Sequence, residues 1–307
     1  MTTLSGTEYE FALCLTHDVD KPFKTAYHAL FYTLRERDPR HLRALRDQCN
    51  PYWQFEEIMA LEEKLGVRSA FYFLNQPSLD SFPVCDLVDV SALTQEFGRY
   101  DVRESDVAEL IQRLDDGGWE VGLHGSYHTA TDRTRLAEEK TRIEEVLGKN
   151  IRGGRQHYLR FEAPETWQHY RDLGLKYDAS FGSARKPGFG SGYDVFRPFG
   201  DDFVVFPLTL MDQHLPDPES EFQTAWTDCK TLLDTASSES AVMTCLFHPR
   251  YFNTREFPGY RRLYERLITE ARDRGAWIGS PGEFYEEFLS HRGVVRDTQG
   301  EYIESIS

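Results

Sequence analysis

Histidines and carboxylates stand where apolar runs end. The first place is CLTHDVDKP, Cys14 to Pro22, where the strand-like run Glu10–Leu13 gives way to His17, Asp18 and Asp20. The second is VGLHGSYHTA, with His124 and His128 four residues apart at the end of another run. On a helical turn, residues at i and i+4 share a face, so both imidazoles can reach one metal ion. Two histidines and one carboxylate make a three-ligand site with a position left for water, the arrangement of hydrolytic zinc. One of Asp18 and Asp20 can ligate, and the other is left to take a proton from that water. A lone aspartate here would be read as a turn cap; the pair, together with the histidines, points to chemistry. In MTCLFHPRYF, His248 ends a third apolar run and reads as a general acid. In GGRQHYLRFEAP, Arg155, His157 and Arg160 alternate along an apolar run, and an arginine at a strand end would hold a neighbouring carboxylate ionised.

These residues need a scaffold that gathers strand ends. Apolar runs at 10–16, 69–74, 119–123, 155–161, 203–207, 241–247 and near 276–278 predict strands. Helical spacing predicts helices at 53–65, 104–116, 132–147, 164–173, 219–235, 259–274 and 281–290, the last with Ser280 as N-cap and Pro281 in its first turn. The alternation is that of βα units around a parallel sheet or barrel in a single domain. Residues 21–52 form an insertion after the first strand, and 75–100 and 179–202 are long loops. Such segments border sites more often than they fill space.

The chain has 307 residues and a net charge of −16, with Arg (27) far exceeding Lys (8). A chain this acidic is not expected to bind nucleic acid, which needs a basic face. It also suggests a salt-adapted surface, whose self-repulsion salt would screen. No stretch of 18 uninterrupted apolar residues predicts a membrane span. The first residues lack the basic start and apolar run of a signal peptide. Five cysteines without a CxxC pair read as reduced thiols, which suggests the cytoplasm.

The order of these signals resembles the polysaccharide deacetylases, the NodB-homology or carbohydrate esterase family four proteins. The matching stretches are Thr16-His17-Asp18-Val19-Asp20, His124-Gly-Ser-Tyr-His128, Arg160, Asp178 in KYDASFG, and Leu246-Phe247-His248, across about residues 10–285. The resemblance implies a distorted (β/α) barrel of about seven parallel strands and a divalent metal of the Zn2+ type. It implies Asp20, His124 and His128 as metal ligands, Asp18 as base, Arg160 steadying that base, His248 as acid and Asp178 tuning it. The chain departs from the pattern in two ways. Val19 separates aspartates that are usually adjacent, which leaves the roles of Asp18 and Asp20 exchangeable. Arg160-Phe-Glu-Ala-Pro164 stands in place of Arg-Pro-Pro-Tyr-Gly, which makes Arg155 a rival to Arg160.

The expected activity is metal-dependent hydrolysis of a C–N amide bond, most simply removal of an N-acetyl group from a sugar or glycan precursor. The alternatives are a different linear amide, such as a ureide or formyl compound, and a barrel that only binds carbohydrate or metal. Lys21, Lys24, His28, Arg185, Lys186 and Arg197, with Tyr27, Phe189 and Tyr193, are expected at the cleft mouth, suited to a phosphate or sugar acid.

Overall fold

The structure is a computed structural model and describes residues 3–37, 39–43, 50–75 and 100–290. Most of the expected 75–100 loop therefore lies outside the described residues. The described strands are β1 (Phe11–Val19), β2 (Ala70–Leu74), β3 (Glu120–Gly125), β4 (Gly153–Gln156), β5 (Tyr177–Asp178), β6 (Val204–Val205), β7 (Leu208–Met211), β8 (Val242–Leu246) and β9 (Ala276–Gly279). They form one parallel sheet in the order β6-β5-β4-β3-β2-β1-β8-β7, with β9 added beside β1. Register explains how β1 holds three partners. Ala12 pairs with both Val242 and Trp277, and Thr16 with both Leu246 and Ala70. Strands β9 and β2 therefore share one edge of β1, the first along its start and the second along its end.

Helices α1 (Ala26–Glu36) and α2 (Arg40–Arg43) lie within the 21–52 insertion. The remaining helices are α3 (Phe55–Leu65), α4 (Ser105–Asp116), α5 (Arg133–Leu147), α6 (Glu165–Asp172), α7 (Pro218–Glu239), α8 (Tyr260–Asp273) and α9 (Pro281–Phe284), the last continued by a π-turn over Tyr285–Leu289. Local chemistry marks their ends. Asp132 caps α5 through the Arg135 N–H at 3.0 Å, and Ser280 caps α9 through the Glu283 N–H at 3.1 Å. Gly66 and Gly148 close α3 and α5 in the left-handed region.

All nine residues of β1 are buried, as expected for a central parallel strand covered on both faces. Alternation sorts them. Phe11, Leu13 and Leu15 join the core under the helices, while Ala12 and Cys14 join a second core with Tyr72, Tyr177, Phe206 and Trp277. The sheet curls around this second core. Tyr72 on β2 and Tyr177 on β5 have two strands between them, yet their hydroxyls lie 3.0 Å from each other. By the same two-residue period, Thr16 and Asp18 face inward and His17 faces the helices. The fold is the distorted parallel half-barrel that the sequence predicts. It has two described strands more than the expected seven: β5 is only two residues long, and Pro207 separates β7 (Leu208–Met211) from the expected strand at 203–207 that contains β6.

Candidate active site

The chemistry-bearing residues collect at the C-terminal ends of β1, β3, β4, β7 and β8, the edge where parallel α/β sheets carry their sites. Asp18 ends the inward-facing row of β1. Its Oδ1 accepts a hydrogen bond from Arg155 Nη1 at 2.8 Å, and the same Nη1 lies 2.9 Å from Thr16 Oγ1. Arg155 is fully buried on β4, where its Nε–H donates to the Ala179 carbonyl at 2.8 Å and its guanidinium sits 5.2 Å from the Tyr72 ring. Burial works against the Arg155 charge, but Asp18, with Tyr72 and Asp178, outweighs it and raises its pKa. The glycines before Arg155 allow this. A Cβ on Gly154 would run into the Leu123 carbonyl of β3, so only glycine lets the two strands approach here.

One residue beyond β1, Asp20 meets three imidazoles. Its Oδ1 lies 3.1 Å from His124 Nε2 and 3.4 Å from His157 Nε2, and its Oδ2 lies 3.6 Å from His248 Nε2. Burial alone would raise the Asp20 carboxyl. His157, the His124 hydrogen bond and His248 outweigh it and hold the group well below the usual carboxylate range. Burial pushes His157 down to about 4, against the pull of Asp20. That keeps it neutral near pH 7, the form that binds metal.

Asp20, His124 and His157 bring one ligand atom each to within 4.8 Å of the others, a group that could hold a metal ion. The donor set fits. A carboxylate and two imidazoles suit a divalent cation with an open position. The Nδ1 of His124 lies 3.0 Å from the Arg155 carbonyl. A carbonyl can only accept, so Nδ1 carries a proton there, and Nε2, the nitrogen turned toward Asp20, is the one a metal would take. A backbone carbonyl behind a ligating histidine fixes the tautomer in this way.

The sequence expectation for the third ligand was His128, and the structure brings His157 instead. The i, i+4 argument needs a helical turn after β3. The chain makes a different turn there: Thr129 donates its N–H at 3.0 Å and its Oγ1–H at 2.7 Å to the Ser126 carbonyl, and Glu139 accepts from the Ser126 N–H at 2.9 Å. His128 packs edge-on against Tyr127 at 5.2 Å between ring centres, outside the Asp20 group. His157 reaches the site because β4 stops at Gln156, and the following Tyr158 and Leu159 take positive φ of 59° and 53°. Two consecutive non-glycine residues in this region are strained, a device found where a side chain must be aimed.

Arg155, not Arg160, pairs with Asp18. Arg160 lies past the left-handed turn and stacks on Tyr127, 4.1 Å from the ring centre. Asp178 does not face His248. It accepts from Trp167 Nε1 at 3.0 Å and from the Ser180 N–H at 3.1 Å, and burial raises its pKa to about 6. The carboxylate behind His248 is Asp212, just past β7, whose oxygens lie 2.9 and 3.0 Å from His248 Nδ1. Burial would lower the His248 pKa, and Asp212 raises it above the ordinary histidine value. Asp212 escaped sequence reasoning because Leu208–Met211 was not recognised as a strand. The signal was the one used elsewhere, a carboxylate directly after an apolar run. At the mouth, Arg197 and Tyr193 are displaced from their expected place. The Tyr193 carbonyl accepts from the Val242 N–H at the start of β8, and Arg197 donates to the Leu289 carbonyl at 2.9 Å.

No protein-family model and no curated protein matches the sequence, whereas solved structures match the fold over nearly the whole chain. A Mycobacterium smegmatis protein assigned as a polysaccharide deacetylase superposes with a TM-score of 0.60 at 15% identity, covering 96% of both chains. A Pseudomonas aeruginosa PAO1 protein assigned to the same class gives 0.56 at 14% identity, covering 93% of both chains. The Puue allantoinase also gives 0.56 at 14% identity, covering 93% of this chain and 92% of its own. The chain has the fold of the polysaccharide deacetylases, at identities that speak for the fold alone. Among the described residues no helix is long and apolar enough to cross a membrane.

Proposed function

We propose that the chain is a metal-dependent hydrolase of a C–N amide bond, acting as an N-deacetylase on an N-acetylated sugar or glycan precursor. The observation that carries this reading is one arrangement. A carboxylate–imidazole–imidazole group, Asp20, His124 and His157, has an arginine-held carboxylate on one side and a carboxylate-backed histidine on the other. Asp20, His124 and His157 would hold the metal. A divalent ion such as Zn2+ lowers the pKa of water and polarises an acyl oxygen. Asp18, kept oriented by Arg155, takes a proton from the attacking water. The water oxygen bonds to the acyl carbon and the C–N bond breaks. His248 gives a proton to the leaving nitrogen from Nε2, while Asp212 holds the proton on Nδ1. The products are a carboxylate and an amine.

Acetate release from N-acetylated sugars, with Zn2+ supplied, is the test. Release that disappears in Asp18→Asn supports the reading. The fold does not choose among amides, since an allantoinase has it too. Hydrolysis of a ureide in the same assay, with no acetate released from any sugar, would move the assignment to that amide. Inactivity on both classes with metal bound would leave a binding barrel.

A further inference from the structure

The pocket that reaches Asp18, Asp20 and His248 is also lined by Lys21 and Arg250. Lys21 directly follows Asp20. Arg250 sits in the single 3-10 turn Pro249–Phe252 that follows His248. The other cations near this part of the chain are committed elsewhere. Lys24 is buried against Glu256, with Nζ–O distances of 2.7 and 2.8 Å. Arg155 is bound to Asp18. Arg250 differs. Its hydrogen bond runs to Tyr251 Oη at 3.4 Å, and among the described residues no carboxylate forms an ion pair with it. The carboxylate whose field it feels is Asp20, which already faces three imidazoles. Lys21 Nζ lies 3.4 Å from His28 Nε2, and Lys21 and Arg250 line the same pocket. Placing a guanidinium in a pocket without a carboxylate of its own is unfavourable unless an opposite charge joins it. In a chain of net charge −16, positive charge gathered at one opening is set against the general field.

We infer that Arg250, together with Lys21, forms a subsite for an anionic group of the substrate, a carboxylate or a phosphate, beside the reacting amide. The planar guanidinium suits either group, because its paired N–H donors match two oxygens at once. This assignment rests on the hydrolase reading for what the anion is attached to. It narrows the substrate class from N-acetylated sugars in general to acidic ones.

The test measures binding by calorimetry to the protein as isolated. The probes are N-acetylglucosamine, N-acetylglucosamine 1-phosphate and N-acetylmuramic acid, which are neutral, phosphorylated and carboxylated. One or both acidic sugars should bind more tightly than the neutral one by about ten- to a hundredfold, the range of a charge-assisted hydrogen bond. Which of them does so identifies the anion. The preference should fall to near unity in Arg250→Gln and persist in Arg250→Lys, which also checks that the site still folds. Equal binding of all three sugars, binding of none, or a preference that survives Arg250→Gln overturns the subsite. Acetate release is followed separately. Deacetylation of all three with no anion preference removes the subsite and keeps the hydrolase. A preference in binding with no release from any sugar keeps the subsite and removes the deacetylase.

Discussion

Two histidine–carboxylate pairs lie on neighbouring strands of this sheet and have different surroundings. His17 on β1 faces Glu62 at 3.0 Å, and His248 after β8 faces Asp212 at 2.9 Å. They are even connected, since His17 Nδ1 lies 2.5 Å from the carbonyl of Phe247, the residue before His248. In the first pair both ring nitrogens are engaged. Glu62 is saturated too, accepting from the Ser69 N–H at 3.0 Å, Trp119 Nε1 at 2.8 Å and the Tyr264 hydroxyl at 2.6 Å. In the second pair Nε2 is directed toward Asp20 and the pocket. Residue type and a strand-end position do not decide whether a histidine can do chemistry. What decides it is which face of the strand it occupies and whether a nitrogen remains to be used. His17 falls on the helix-facing side, stacked on Phe71 at 4.7 Å, and holds β1, β8 and two helices together.

The largest expected contrast is in turnover. His248→Asn and Asp18→Asn should each lower kcat by roughly 10²–10⁴-fold, the usual weight of a general acid or base. His248→Asn should keep a thermal stability close to that of the unchanged protein, whereas Asp18→Asn also leaves the buried Arg155 charge without its partner and should be less stable. Loss of folding in His248→Asn, with activity intact in the soluble fraction, would turn the comparison around. Glu62→Ala should do the reverse. It leaves His17, the Trp119 indole N–H and the Tyr264 hydroxyl without their buried partner, at a cost of about 3–5 kcal/mol. Denaturant unfolding reads that loss directly, and kcat of the folded fraction should change little. A Glu62→Ala protein as stable as the parent would remove the structural role given to this pair.

A smaller effect should appear in the pH profile. Asp212 raises the His248 pKa above the ordinary histidine value. An acid works only while protonated, so activity is present below that pKa and lost as pH rises through it. Asp212→Asn should move this high-pH limb of kcat toward lower pH. An unmoved limb would mean that another group supplies the proton. Smaller still is a stability effect in the protein stripped of metal. His157 is held at about 4 in the folded chain against 6.5 for an ordinary histidine. The unfolded chain therefore binds more protons between those values, and stability should fall as pH drops through that window. His157→Gln should flatten that part of the unfolding curve.

Much of this was legible from the chain. The βα alternation and the strand-end positions of Asp18, Asp20, His124 and His248 follow from apolar runs and what terminates them. Arg155 was recognised as a rival to Arg160. His157 was visible as part of an alternating Arg-x-His pattern. Its approach to Asp20 was not, because it depends on a left-handed backbone turn at Tyr158 and Leu159 that their side chains do not advertise. The His124–His128 spacing misled for the complementary reason. Four residues mean one face only if the backbone is helical, and hydrogen bonds around Ser126 and Thr129 make another turn. Asp212 and Glu62 come from distant segments, and no local pattern ties either to its histidine. Arg250 stood close to His248 in the sequence from the start, but that no carboxylate among the described residues pairs with it is a property of the assembled pocket.

Metal content of two variants tests the central claim most directly. His157→Ala and His128→Ala are purified alongside the parent protein, loaded with Zn2+, dialysed, and measured by elemental analysis. The account predicts about one metal ion per chain in the parent and in His128→Ala, and loss of bound metal in His157→Ala. Retention of the metal in His157→Ala together with its loss in His128→Ala would contradict the site described above and return the third ligand to His128.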